Sequence, residues 1–217
     1  MPAQKRSERL SAAAVIIALS GVLLHVVVNY ITPYGIHRDE FLYLAMGERL
    51  RLWQMDFPPF IALIAEWSRA WFGDSLRAIR LFPAVTAGLL IVLAADFARR
   101  LGGGASAQVL AAVFQFVPIL FLRTGALFQP VIFDQLWWTL GMWCLLRWRQ
   151  SSDNRWWIAL GLVLGMGLLT KFSILIFGFG VLIGLLATKE RKLLATRWPW
   201  IALALTLAIG SPSIVGQ

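Results

Sequence analysis

Cysteine occurs once in this chain, at position 144, and histidine twice, at 25 and 37. A single cysteine excludes an intramolecular disulfide framework. Two histidines, one of them inside an apolar run, argue against a His-rich zinc site. Charge is scarce as well: 14% of residues are Asp, Glu, Lys or Arg, against roughly 25% in soluble domains. Acids are the rarer sign, 11 against 20 Lys and Arg. No glycine-rich phosphate loop stands out, since Gly102-Gly103-Gly104 reads as a turn between two apolar runs. No internal repeat or low-complexity tract is evident.

What fills the chain instead is apolar. Hydrophobic residues make up 59% of the 217, and the mean hydropathy is +0.72. Apolar runs at 10–31, 81–98, 105–122, 131–146, 156–170, 172–188 and 198–215 approach the ~20 residues that span a bilayer. The reading is an all-α, polytopic transmembrane helical bundle of about seven spans. The net charge of +9 could suggest nucleic acid, but its placement excludes that partner. The basic residues collect in short loops: Lys5, Arg6 and Arg9; Arg99 and Arg100; Arg147, Arg149 and Arg155; Lys189, Arg191, Lys192 and Arg197. Placing all of these loops in the cytoplasm gives a consistent topology. Residues 1–9 then form a cytoplasmic N-terminus, 10–31 an uncleaved first span, 32–80 an external loop, and 81–217 a transmembrane bundle of about six spans. Residues 156–188 as a single helix would reach about 50 Å, against a hydrocarbon core of ~30 Å. Two shorter spans meeting at Lys171 avoid that length and put Lys171 at an external apex.

Residues 32–80 carry both signs of charge. Phe41–Trp53 and Phe60–Phe72 mix apolar and charged positions at helical spacing, with Pro58-Pro59 between them. They read as amphipathic helices on the outer surface, with Trp53, Trp67, Trp71 and Phe72 at headgroup level. Within this loop stands Asp39-Glu40, two adjacent carboxylates just past the first span. They suit general-base or metal chemistry, and equally an N-cap with a first-turn acid for the helix at Phe41. Asp134, at the start of the fourth run, is either a site residue, a helix cap or a partner for Arg123. Lys171 either holds an anion or snorkels to the interface. Arg123, Arg77 and Arg80 complete the outer cations able to hold a phosphate. Asp96 is spaced to pair with Arg99 or Arg100 on one helix. The glycines of Gly161–Gly167 and Gly178–Gly184 suit close helix packing. His25 and Asn29 read as interhelical hydrogen-bonders, and Cys144 as a packing residue.

In this order the motifs resemble the GT-C class of membrane glycosyltransferases, in the bacterial branch similar to dolichyl-phosphate-mannose-protein mannosyltransferases. That branch includes aminoarabinose and galacturonic acid transferases. The resemblance rests on Asp39-Glu40-Phe41-Leu42-Tyr43, Phe57-Pro58-Pro59-Phe60, Arg80-Leu81-Phe82-Pro83, Asp134, Leu169-Thr170-Lys171 and Ser211-Pro212. It departs at Phe57, where such proteins often carry a basic residue or histidine. It departs also in length, so the chain reads as an N-terminal portion. The resemblance implies inverting transfer of a sugar from a polyprenyl-phosphate donor to a lipid, glycan or protein acceptor, on the outer face of a bacterial inner membrane. It implies Asp39 as general base and Glu40 as its support in the catalytic pair. Asp134, Arg123, Tyr43, Pro58 and Pro59 would line the substrate site, and Lys171 would neutralise the leaving phosphate. The resemblance names no definite cofactor, and a divalent metal ion held by Asp39, Glu40 or Asp134 is compatible with it. Membrane lipids are the remaining partners. Two other readings stand beside this one: a non-catalytic truncated paralogue, and a transporter or lipid-binding membrane protein.

Overall fold

The structure is a computed structural model that describes residues 9–55, 57–73 and 75–216. Among these residues there is no strand. The helices are α1 (Ala12–Ile31), α2 (Arg38–Glu48), α3 (Phe60–Phe72), α4 (Leu76–Arg100), α5 (Ala105–Phe116), α6 (Ile119–Ala126), α7 (Pro130–Ser151), α8 (Trp156–Thr170), α9 (Ile174–Ala187) and α10 (Trp198–Val215), with a 3-10 helix at Lys189–Ala195. The all-α membrane fold expected from the sequence is present. By length and composition α1, α4 and α10 can each cross a membrane, and α5 with α6 forms a fourth candidate bent by 65°. The bend falls before Pro118, which has no backbone N–H to continue the ladder. The other expected spans correspond to α7, of 22 residues, and to α8 and α9, of 15 and 14 residues. At ~1.5 Å per residue α8 and α9 fall short of a ~30 Å hydrocarbon core.

The chain divides into two compact units. The first holds the residues through Leu42 together with Trp67–Ile132. Its core lies where α1 meets α4 and α5. Ala14, Ala18, Gly21 and His25 follow one stripe of α1 and are buried, and Ala14 and Ala18 pack with Ile91, Ala95 and Ala112. Small residues bring these backbones together, as is usual between helices in lipid. A Cβ at Gly88 would stand 2.4 Å from Val22 Cγ2. His25 packs the same way: a Cβ at Gly125 of α6 would come within 2.6 Å of its Nε2. The end of α4 is set by glycine. Gly102 has φ +96°, and the amides of Gly102 and Gly103 donate to the carbonyls of Arg99 and Ala98 at 3.0 and 2.8 Å. This is a Schellman termination, which needs a residue free to adopt the left-handed region. Just before it, Asp96 accepts from Arg99 at 2.6 Å and from Arg100 at 2.5 Å, the pairing expected from their spacing.

The second unit holds Tyr43–Glu66 and Phe133–Gln217. Here α8 and α10 pack most closely. A Cβ at Gly161 would lie 2.7 Å from the carbonyl oxygen of Ala202, and one at Gly165 would lie 2.7 Å from Ile209 Cβ. Thr206 donates its hydroxyl toward the carbonyls of Gly161 and Ala202 at 3.2 and 2.9 Å. Around this pair Cys144, Trp157, Leu160, Leu168 and Phe177 form the core. Edge-to-face tryptophans border it, Trp143 on Trp156 at 5.2 Å and Trp148 on Trp157 at 5.6 Å. The second glycine group differs from expectation: Gly178, Gly180 and Gly184 of α9 have nothing within 4 Å of an added Cβ. They do not mediate packing among the described residues.

Residues 32–80 carry two helices, near the two stretches expected to be helical. α3 has the expected bounds, burying Ile61, Ala62 and Ala65 and exposing Trp67, Trp71 and Phe72. α2 begins three residues before Phe41 and stops at Glu48. Its Phe41 and Leu42 are exposed, whereas Glu40 is fully buried.

Candidate functional site

The start of α2 explains both the early helix and the buried acid. His37 precedes the first helical residue, and its Nδ1 accepts from the Asp39 amide at 3.3 Å. Glu40, three residues on, reaches back to accept from the His37 amide at 2.8 Å. This is the reciprocal logic of a capping box with histidine as the cap. Asp39 and Glu40 are therefore first-turn acids, favoured at a helix N-terminus, and neither is the cap itself.

Glu40 does more than cap. Its Oε1 accepts from Arg80 Nε and from the Phe128 amide, both at 2.8 Å. Its Oε2 accepts from Arg80 Nη2 at 2.7 Å as well as from His37. Arg80 completes its fork on the Gly35 carbonyl at 2.9 Å and on Asn29 Oδ1 at 3.5 Å. Side-chain exposure is 0% for Glu40 and 2% for Arg80. Burial pushes the Glu40 carboxyl up. The hydrogen bonds from Arg80, Phe128 and His37, together with the Arg80 charge, outweigh burial and hold it below its ordinary value. Each carboxylate oxygen thus has two donors. Arg80 is engaged here and is not available as an outer phosphate-holding cation.

Asp39 is the contrasting neighbour. Its side chain is 35% exposed. Gln129 Nε2 donates to Oδ2 and Arg38 Nε to Oδ1, both at 3.3 Å. Its carboxylate is oriented by long contacts and reaches solvent, as a group that must accept a proton requires. Arg123 lies exposed near the end of α6 in the same unit.

In the second unit a separate polar cluster surrounds the break between α8 and α9. Lys171 is exposed, with extended backbone (φ −165°, ψ 140°), and its amide closes α8 on the Gly167 carbonyl at 2.8 Å. Ser173, two residues on, sets its hydroxyl 2.7 Å from both oxygens of Asp134. The Lys171 charge and the Trp138 side chain also act on Asp134. Thr170 accepts from Trp137 Nε1 at 2.8 Å, and Trp137 packs edge-on against Phe60 at 5.5 Å. Pro59 is buried, and its carbonyl accepts the Leu63 amide at 3.0 Å to open α3. Pro58 and Tyr43 are half-buried in this unit.

Among the described residues no three His, Cys, Asp or Glu side chains are grouped to hold a metal ion. Both oxygens of Glu40 are already engaged by protein donors. Sequence reasoning did not find Gln129, Ser173 or the Glu40–Arg80 bond. The two uncharged residues give no compositional signal. The bond joins residues 40 apart on helices whose packing a linear pattern does not report.

Residues 56–215 match the family model of dolichyl-phosphate-mannose-protein mannosyltransferase. No curated protein and no solved structure matches the chain. The matched stretch contains Pro58, Pro59, Arg123, Asp134 and Lys171, while Asp39, Glu40 and Tyr43 precede it.

Proposed function

This chain belongs to the dolichyl-phosphate-mannose-protein mannosyltransferase family of membrane glycosyltransferases, and we propose that it moves a sugar from a polyprenyl-phosphate donor to an acceptor hydroxyl with inversion at the anomeric carbon. Asp39 takes the hydroxyl proton as the acceptor oxygen attacks that carbon. The bond from the carbon to the phosphate oxygen breaks on the opposite face, and polyprenyl phosphate leaves with the electron pair. Lys171 neutralises the charge that develops on the leaving phosphate, the type of electrostatic help that weighs most in such transfers. Asp134, held by Ser173, positions Lys171 and polar groups of the substrate. Arg123, Tyr43, Pro58 and Pro59 line the substrate path. The acceptor is a lipid, glycan or protein hydroxyl. The positive-inside pattern supports placing the reaction on the periplasmic side of a bacterial inner membrane.

One observation carries this reading: the four hydrogen bonds of Glu40 fix the turn that presents Asp39, while the Asp39 carboxylate stays open to a substrate. The test is sugar transfer in proteoliposomes supplied with a polyprenyl-phosphate sugar. Asp39→Asn should lower turnover by about 10²–10⁴-fold with membrane insertion unchanged. Undiminished transfer by that variant removes the base assignment.

A further inference from the structure

Gly180 and Gly184 of α9, which pack against nothing, line a long trough between α7 and α9. It holds about 770 Å³, room for an acyl chain with its headgroup rather than for a whole two-chain lipid. Trp138 lies at one end, Gly180 and Gly184 form part of the floor, and Arg149, Lys189 and Glu190 stand at the other end. Along its length the wall is apolar. Its charged end follows the last turn of α9, where the chain passes into the basic 3-10 helix carrying Lys189, Arg191 and Lys192. Arg149 is paired with Glu190, but that pair is solvent-exposed, and exposed pairs bind weakly. Lys189 makes no ion pair among the described residues.

An apolar channel that ends in cations at the membrane surface has the polarity of a phospholipid: chain in hydrocarbon, phosphate at the interface. We propose that this trough binds one anionic phospholipid, its acyl chain lying along Gly180 and Gly184 and its headgroup phosphate held between Arg149 and Lys189. Arginine offers a fork of donors matched to phosphate, and its bond to Glu190 opens to share that fork. Charge complementarity selects an anionic headgroup over a zwitterionic one, because Arg191 and Lys192 add to the local positive field. The glycines have a role in this arrangement. Any side chain at 180 or 184 would project into the trough, and neither position needs to be small for packing. Lipid binding in this trough does not depend on sugar transfer.

The test is thermal unfolding of the purified full chain in a neutral detergent, with phosphatidylglycerol or phosphatidylcholine added at equal mole fraction. Phosphatidylglycerol should raise the midpoint by a few degrees and phosphatidylcholine should not. The double variant Arg149→Gln/Lys189→Gln should lose the selective rise. Gly184→Leu, which meets open space and keeps both charges, should lose it as well. Equal shifts from the two lipids overturn the proposal, as does a selective rise that survives in either variant. Cross-linking from Gly184→Cys to a second copy, or to another segment of the same protein, also overturns it by assigning the trough to protein.

Discussion

Asp39 and Glu40 are adjacent and chemically alike, yet their surroundings give them opposite work. Glu40 is enclosed with Arg80, and Glu40→Gln would leave that guanidinium buried without its counter-charge. The expected loss is about 3–5 kcal/mol, the usual cost of breaking a buried pair, read as a lowered unfolding midpoint in detergent. Asp39→Asn should stay within about 0.5 kcal/mol of the parent protein, as an exposed polar substitution does. With Asp39 as the proposed base, stability and activity are expected to separate at neighbouring residues. The pH dependence follows from the depressed Glu40 value. Its contribution is full above the unfolded carboxyl range and is lost as pH falls through the lower folded-state value. Acidification past about pH 4.3 should therefore destabilise the parent protein more steeply than Glu40→Gln, which has no such contribution to lose. Matching acid profiles for the two would count against this pair as the cause.

Glycine shows how an element decides the effect of a residue. In α8, Gly161 faces the backbone of Ala202, which cannot move aside as a flexible side chain can. Gly161→Val should destabilise by about 1–3 kcal/mol or more through overpacking. In α9, Gly178 meets nothing within 4 Å, and Gly178→Ala should gain about 0.5–1 kcal/mol from helix propensity. Thermal unfolding of the two variants side by side checks both signs. Sequence pattern alone could not separate these helices, because both read as small residues in an apolar run. It did locate nearly every helix, since hydropathy marks the runs and Pro58-Pro59 marks where α3 opens. It misjudged the start of α2, because histidine is not among the usual cap residues, so the box that His37 forms with Glu40 gives no cap signal in the sequence. The Asp39 and Lys171 candidates were legible as charges beside apolar runs. Ser173 and Gln129, which bond Asp134 and Asp39, carry no charge and left no such mark.

Across the whole molecule the pattern of charge makes an orientation testable. On the proposed orientation, with Cys144 replaced by serine, Tyr34→Cys should react with a membrane-impermeant maleimide added outside spheroplasts. Thr196→Cys should react only after the membrane is permeabilised. Both positions are exposed, so failure to label reports sidedness rather than burial. Labelling of both from the same side would overturn the topology and, with it, the placement of the reaction.

The Glu40 clamp also has a history in time. Its donors lie 40 and 88 residues further along the chain. At about 5–20 residues per second of synthesis, Arg80 follows Glu40 from the ribosome by roughly 2–8 seconds and Phe128 by roughly 4–18 seconds. Until both arrive, this carboxylate has no partner but its own turn, and the geometry around Asp39 cannot be set. The Glu40 cluster of the first unit is thus completed only after α4, α6 and the turn beyond it have all been synthesised.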